Sequence, residues 1–177
     1  KDQAFYIRAL AVIVGFSLVH IIWEKLFFDP YFHLGARQVS NDDPLMIEAK
    51  NKGKKTLQDF LTVYPKHPND SMVKFRFKND HGEDEFLWSD LLSVEDEYAN
   101  VFIRTPPINH DADLEQKMKI LITDIVDWQI EFQDGTLRGG FTNQALFKIF
   151  EREEGYMHAK FNEQINRFKE LTKNETG

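Results

Sequence analysis

Hydrophobic and polar positions change their period along this chain, and each period predicts a different element. Residues Ala9–Trp23 read ALAVIVGFSLVHIIW, apolar on every side apart from Ser17 and His20. A helix packed on a water-soluble core keeps a polar stripe, and this run has none. At 1.5 Å per residue it spans roughly 22 Å, and Phe5, Tyr6, Leu26, Phe27 and Phe28 extend it toward the ~30 Å hydrocarbon core of a bilayer. Trp23, Phe27, Phe28, Tyr31 and Phe32 resemble an interfacial aromatic belt. Glu24-Lys25-Leu26 stands where a signal peptide would carry small residues for cleavage. Residues 1–28 are therefore expected to be an uncleaved single-pass transmembrane helix, contacting lipid over 9–28, with 29–41 as a tether. Lys1 and Arg8 precede the span, whereas Lys25 is offset by Glu24 and Asp29. The positive-inside rule then leaves the N-terminus in the cytoplasm and the following domain outside. His20 is expected to be a neutral imidazole facing a neighbouring helix or the headgroups.

Beyond the tether the period falls to 3.6. Asp43 precedes Pro44 as a cap before a first-turn proline, and Met46, Ala49, Gly53, Leu57 and Phe60 make one apolar face. Lys50, Lys52, Lys54 and Lys55 lie mostly off that face, as a solvated side or a contact for anionic headgroups. Tyr64–Asp70 breaks the helix. Strict alternation over Met72–Lys78 predicts a half-buried strand, with Val73, Phe75 and Phe77 inward and Lys74, Arg76 and Lys78 outward. A turn at Asn79–Gly82 and a returning strand from Asp84 to Trp88 and Ser89 complete a hairpin, pairing basic with acidic residues. Tyr98–Arg104 and Lys119–Ile122 read as further strands. Thr123 is expected to cap a helical turn running through Asp127. Trp128–Phe132 should pair with Thr136–Arg138 across Asp134-Gly135, with Gly139-Gly140 ending the hairpin. Thr142 reads as an N-cap, followed by a helix with Ala145, Leu146, Ile149 and Phe150 on one side and a stop at Gly155. A last amphipathic stripe carries Phe161, Ile165, Phe168 and Leu171. The fold class is thus α+β: a transmembrane helix, then a small antiparallel sheet flanked by helices. The domain covers 42–142, with a helical extension over 143–177.

Composition narrows the function. The formal charge of −7 disfavours nucleic acid, whose binding needs a basic surface to displace counterions from phosphate, and acidic partners are disfavoured on the same ground. The absence of cysteine removes disulfides, thiolate nucleophiles and Cys-based zinc sites.

The candidate chemistry is sparse. No phosphate-binding glycine loop, His-Glu-x-x-His or Gly-x-Ser-x-Gly occurs, so neither a cofactor nor a metal site is expected. His81 with Glu83 and Asp84, and His110 with Asp111 and Asp113, read as solvated turns. Asp124 and Asp127, three apart on a helical turn, are either an acid/base pair or a structural set complementing a helix dipole. In the second case Asp127 would bind the Gly139 or Gly140 amides. Trp88 and Trp128 are either core anchors or, with Phe141, the centre of a binding surface.

The run Ile125-Val126-Asp127-Trp128-Gln129-Ile130, then Asp134-Gly135, then Gly139-Gly140-Phe141-Thr142, resembles the signature of YegJ-like bacterial domains over roughly residues 44–142. That resemblance implies a bacterial α+β domain with no assigned chemistry. It gives Asp127, Gly135, Gly139, Gly140 and Thr142 the place of a structural motif. The expected function is a membrane-anchored, non-catalytic protein-interaction domain, an accessory subunit or immunity-type factor of a bacterial membrane complex. It would sit in the bacterial inner membrane with its soluble domain periplasmic and another protein as partner. The rival readings are a hydrolase using Asp124, Asp127 or His110, and a small-ligand or envelope-surface binding module.

Overall fold

Asp43 caps the first helix as its position before Pro44 predicts: its carboxylate accepts the Leu45 amide at 2.9 Å. A computed structural model describes residues 39–104, 116–155, 159–172 and 175. The anchor expected over residues 1–28, most of the tether, Pro106, Pro107 and His110 lie outside these residues. No helix among the described residues is long and apolar enough to cross a membrane.

Helix α1 spans Pro44–Lys55 and α2 spans Leu57–Val63. One continuous helix was the expectation, but the chain bends at Thr56. Its hydroxyl turns back to the Lys52 carbonyl at 2.9 Å, competing with the helical ladder. Strands β1 (Ser71–Lys78), β2 (Asp84–Glu95), β3 (Tyr98–Ile103) and β4 (Lys117–Leu121) form a meander. A 3-10 turn, Ile122–Asp124, leads into β5 (Ile125–Glu131) and β6 (Leu137–Gly139). Helices α3 (Phe141–Glu154) and α4 (Ala159–Arg167) follow, and then β7 (Phe168–Lys169). The sheet has the order β4-β3-β2-β1-β5-β6-β7, antiparallel except for the β6–β7 pair.

Four local expectations are corrected. Strand β2 continues past Trp88 to Glu95, because a bulge between Leu91 and Ser93 interrupts the alternation that marks a strand. Asp96 then makes the turn at φ 54° without a glycine. Asp127 lies within β5 rather than on a helical turn capped by Thr123. Gly140, not Thr142, stands at the N-cap of α3, with φ 62°. Phe168 leaves the last amphipathic stripe to join a strand beside Leu137.

One face of the sheet carries the main core. Val73, Phe75, Leu87, Leu91, Val101, Ile103, Ile120, Ile125, Trp128 and Ile130 are buried there beneath Phe60, Val63 and Tyr64 of the α2 segment. Phe60 stacks on Trp128 at 5.0 Å, a geometry that adds about 1 kcal/mol beyond area burial. The opposite face carries Lys74 and Asp127. Over it lie α1 and α3: Thr142 in the first turn of α3 reaches Asp127, and Arg152 in its last turn pairs with Asp43 at the start of α1 at 2.6 Å. Gly53 allows α1 to seat directly on the β5 backbone: a Cβ there would come within 2.9 Å of the Asp127 Cα. Gly155, at φ 75°, ends α3 as its position predicts.

Candidate functional site

Three neighbouring residues from three strands make the most unusual group in the molecule. Register places Lys74 opposite Asp127 on one side and opposite Trp88 on the other. Period-two geometry then sends all three side chains to the same face. Asp127 is fully buried. One carboxylate oxygen accepts the Trp128 amide at 2.8 Å and the Phe141 amide at 3.2 Å. The other accepts the Thr142 amide at 2.7 Å and the Thr142 hydroxyl at 2.8 Å. The Thr142 oxygen in turn accepts from Lys74 Nζ at 3.3 Å. Burial raises the Asp127 carboxyl above its ordinary value, opposed by the Thr142 and Trp128 donors and the Lys74 charge. The four donors aimed at it fit the ionised form. Burial likewise lowers Lys74 to about 8, against the pull of Asp127. This group ties the middle of β5 to the first turn of α3 and satisfies amides that a helix start leaves free.

The expected contact of Asp127 with Gly139 or Gly140 amides is not what forms. The Gly140 amide donates to the Trp128 carbonyl at 2.7 Å, and Asp127 takes the next two amides along. The glycines have a different task. At Gly139, φ 74°, a Cβ would lie 2.5 Å from the Trp128 ring, so the hairpin closes over the indole only without a side chain. Gly135, φ 76°, forms the β5–β6 turn, and its carbonyl accepts Arg167 Nε at 2.8 Å.

Asp124 and Asp127 do not meet as a helical pair. Asp124 closes the 3-10 turn and pairs with Arg76 at 3.2 Å, whereas Asp127 lies inside β5. His81 sits in a turn built on Asn79, whose side-chain oxygen accepts the His81 and Glu83 amides. Among the described residues no group of three or more His, Cys, Asp or Glu is placed to hold a metal ion.

The three residues expected at a binding surface part company. Trp128 is 1% exposed and belongs to the core, its Nε1 donating to Thr56 Oγ1 at 3.0 Å. Phe141 packs edge-on against Trp128 at 5.7 Å and lines a cleft with Lys52, Thr56, Asp59 and Leu171. That cleft holds about 190 Å³, below the range of about 300–1,000 Å³ of most small-molecule sites. Trp88 stays partly exposed, with its Nε1 buried and without a hydrogen-bond partner among the described residues.

Trp88 belongs to a larger surface. Helices α1 and α3 cover the β1–β5 side of this face, and no helix among the described residues packs along β2, β3 and β4 there. Phe86, Trp88, Tyr98 and Phe102 share that part of the face and are all partly exposed. Cations accompany them: Lys50 over Phe86 at 4.0 Å, Lys74 over Trp88 at 5.7 Å and Lys119 over Tyr98 at 4.5 Å. Arg104 is held at its rim by Asp90, whose two carboxylate oxygens share the Arg104 Nε–H at 2.8 Å each. Lys74 and this lysine-aromatic surface escaped sequence reasoning. Alternation marks Lys74, Phe86 and Phe102 as outward, but only register shows that they are neighbours.

The fold and this group define an α+β domain in which one buried carboxylate joins sheet to helix. The chain belongs to a bacterial family described as "uncharacterized protein conserved in bacteria (DUF2314)", whose profile matches residues 43–164. No curated protein and no solved structure matches it.

Proposed function

We propose that this chain is a membrane-anchored, non-catalytic interaction domain, an accessory subunit or immunity-type factor of a bacterial membrane complex. Residues 9–28 hold it in the inner membrane, the folded domain is periplasmic, and a partner protein docks on the β2–β3–β4 face. Within its family we read it as YegJ-like, on the run from Asp127-Trp128 to Gly139-Gly140-Phe141-Thr142. The observation that carries the docking reading is the half of the sheet along which no helix among the described residues packs, where four partly exposed aromatics stand among cations. Amphipathic aromatics on rigid strands are what protein interfaces concentrate at their centres. The Trp88 indole N–H supports the same reading, since an acceptor from a partner would satisfy a donor already withdrawn from water. The non-catalytic reading is supported by Asp127, whose lone pairs are taken up by the domain's own donors.

A photo-crosslinking residue at Phe102, in the full chain within bacterial membranes, tests this. The expected result is a discrete adduct that Trp88→Ala abolishes and that does not form from exposed Gln58 on α2. Equal labelling from both positions defeats the docking reading. Recovery of the full chain without detergent in the soluble fraction defeats the anchor.

A further inference from the structure

The two edges of the sheet are finished differently. At one, the chain's own Phe168–Lys169 adds as a short parallel strand on β6. At the other, β4 is the terminal strand and nothing among the described residues pairs with its outer side. The hydrogen-bond phase of that edge follows from the ladder. The Ile103 amide donates to the Gln116 carbonyl at 2.7 Å, and the Ile122 amide to the Glu97 carbonyl at 3.0 Å. In an antiparallel pair such bonded positions alternate, so Met118 and Ile120 also bond inward to Val101 and Ala99. The N–H and C=O groups of Lys117, Lys119 and Leu121 therefore point away from the sheet. Their side chains share the face that carries Tyr98 and Phe102, and all three are exposed, Leu121 at 40%.

We infer that β4 is a strand-addition site for an acidic extended segment of a partner protein, with acidic residues facing Lys117 and Lys119 and an apolar residue facing Leu121. The inference rests on the interaction reading above and names its partner chemistry. Charge selects the occupant, and here the local charge differs from the chain's net −7: the outward residues of β4 are two lysines and a leucine. A second copy of this chain, added through its own β4, sets lysines against lysines, and like charges directly opposite repel. Lysine on an open edge discourages indiscriminate pairing, whereas a strand with carboxylates at alternate positions turns the same residues into cross-strand pairs. Backbone bonds from three outward residues supply affinity, and the alternate side chains supply specificity. An added strand also continues the sheet beside the aromatic surface, so one partner can engage both.

The probes are two short peptides of alternating pattern, one presenting two Glu and a Val on one face, the other two Lys and the same Val. They are titrated against the full chain in detergent, with amide exchange read residue by residue. The Glu peptide should protect the Lys117, Lys119 and Leu121 amides, and raised salt should weaken it. Reversing both charges, Lys117→Glu with Lys119→Glu, should weaken the Glu peptide about tenfold and favour the Lys peptide, because each cross-strand pair changes from attraction to repulsion. Lys119→Pro removes an outward donor while sparing the ladder to β3, so it should abolish protection without lowering thermal stability. Equal binding of the two peptides, protection that survives Lys119→Pro, or a dimer that these substitutions dissolve would each overturn the inference. If Lys119→Pro leaves the Phe102 crosslink to the native partner intact while Trp88→Ala removes it, strand addition falls and the docking face stands. If the Glu peptide protects the edge but Trp88→Ala leaves the crosslink intact, the edge stands and the face falls.

Discussion

Replacing Asp127 by Asn tests whether the buried carboxylate clamps the middle of β5 to the first turn of α3. The substitution keeps shape and volume and removes only charge and acceptor capacity. Each carboxylate oxygen of Asp127 now accepts two donors: the Trp128 and Phe141 amides on one, the Thr142 amide and hydroxyl on the other. An asparagine must turn its NH2 toward one of those pairs. Either orientation sets donors against donors and forfeits two bonds, though the Thr142 hydroxyl can rotate to recover part of the loss. Bonds to a charged acceptor are worth about 1.5–3 kcal/mol each. The Lys74 ammonium also loses the charge that partly offsets its burial. Breaking a buried pair from one side costs about 3–5 kcal/mol, and that is the expected loss. It is a large part of the roughly 5–15 kcal/mol that holds a domain together. Urea unfolding of the full chain in detergent, followed by tryptophan fluorescence, measures it. The change should appear in the midpoint with the slope unchanged. A double-mutant cycle with Lys74→Met separates the pair from its surroundings. Once either charge is gone the second substitution should cost less, with a coupling of about 1–3 kcal/mol. A loss below about 1 kcal/mol, or strictly additive costs, refutes the clamp.

Other outcomes follow from the same contacts. Lys74 titrates near 8 in the folded chain and at its ordinary 10.5 when unfolded. Between those values the unfolded chain binds the extra proton, so stability should rise with pH from about 8 toward 10, by up to roughly 3 kcal/mol. Lys74→Met should remove that rise, as urea midpoints across the window would reveal. Gly53→Ala should cost about 1–3 kcal/mol by lifting α1 from β5, despite alanine's better helix propensity; a stabilised variant in thermal unfolding contradicts the close packing. Gly139→Ala adds a clash with the Trp128 ring to an unfavourable backbone angle. Its melting temperature should therefore fall further than that of Gly135→Ala, where a Cβ meets open space.

The sequence alone determined whatever depends on near neighbours. The cap at Asp43, the alternation of Val73, Phe75 and Phe77, the Asp134-Gly135 turn and the stop at Gly155 are all legible because each is decided within a few residues. Where local pattern and pairing disagree, the pattern loses. The bulge at Leu91 to Ser93 hid half of β2, and Thr56 split a helix whose apolar stripe runs on unbroken. Asp127 was readable as a structural acid, but its partners were not, since Thr142 reaches it only after the hairpin has folded back. Lys74 is the sharpest case. Nothing about a lysine on the polar side of a strand reveals that helices will cover that side. Its lowered proton affinity, like the place of β4 at the end of the strand order, comes from which strands lie beside it, and strand order is a property of the assembled sheet.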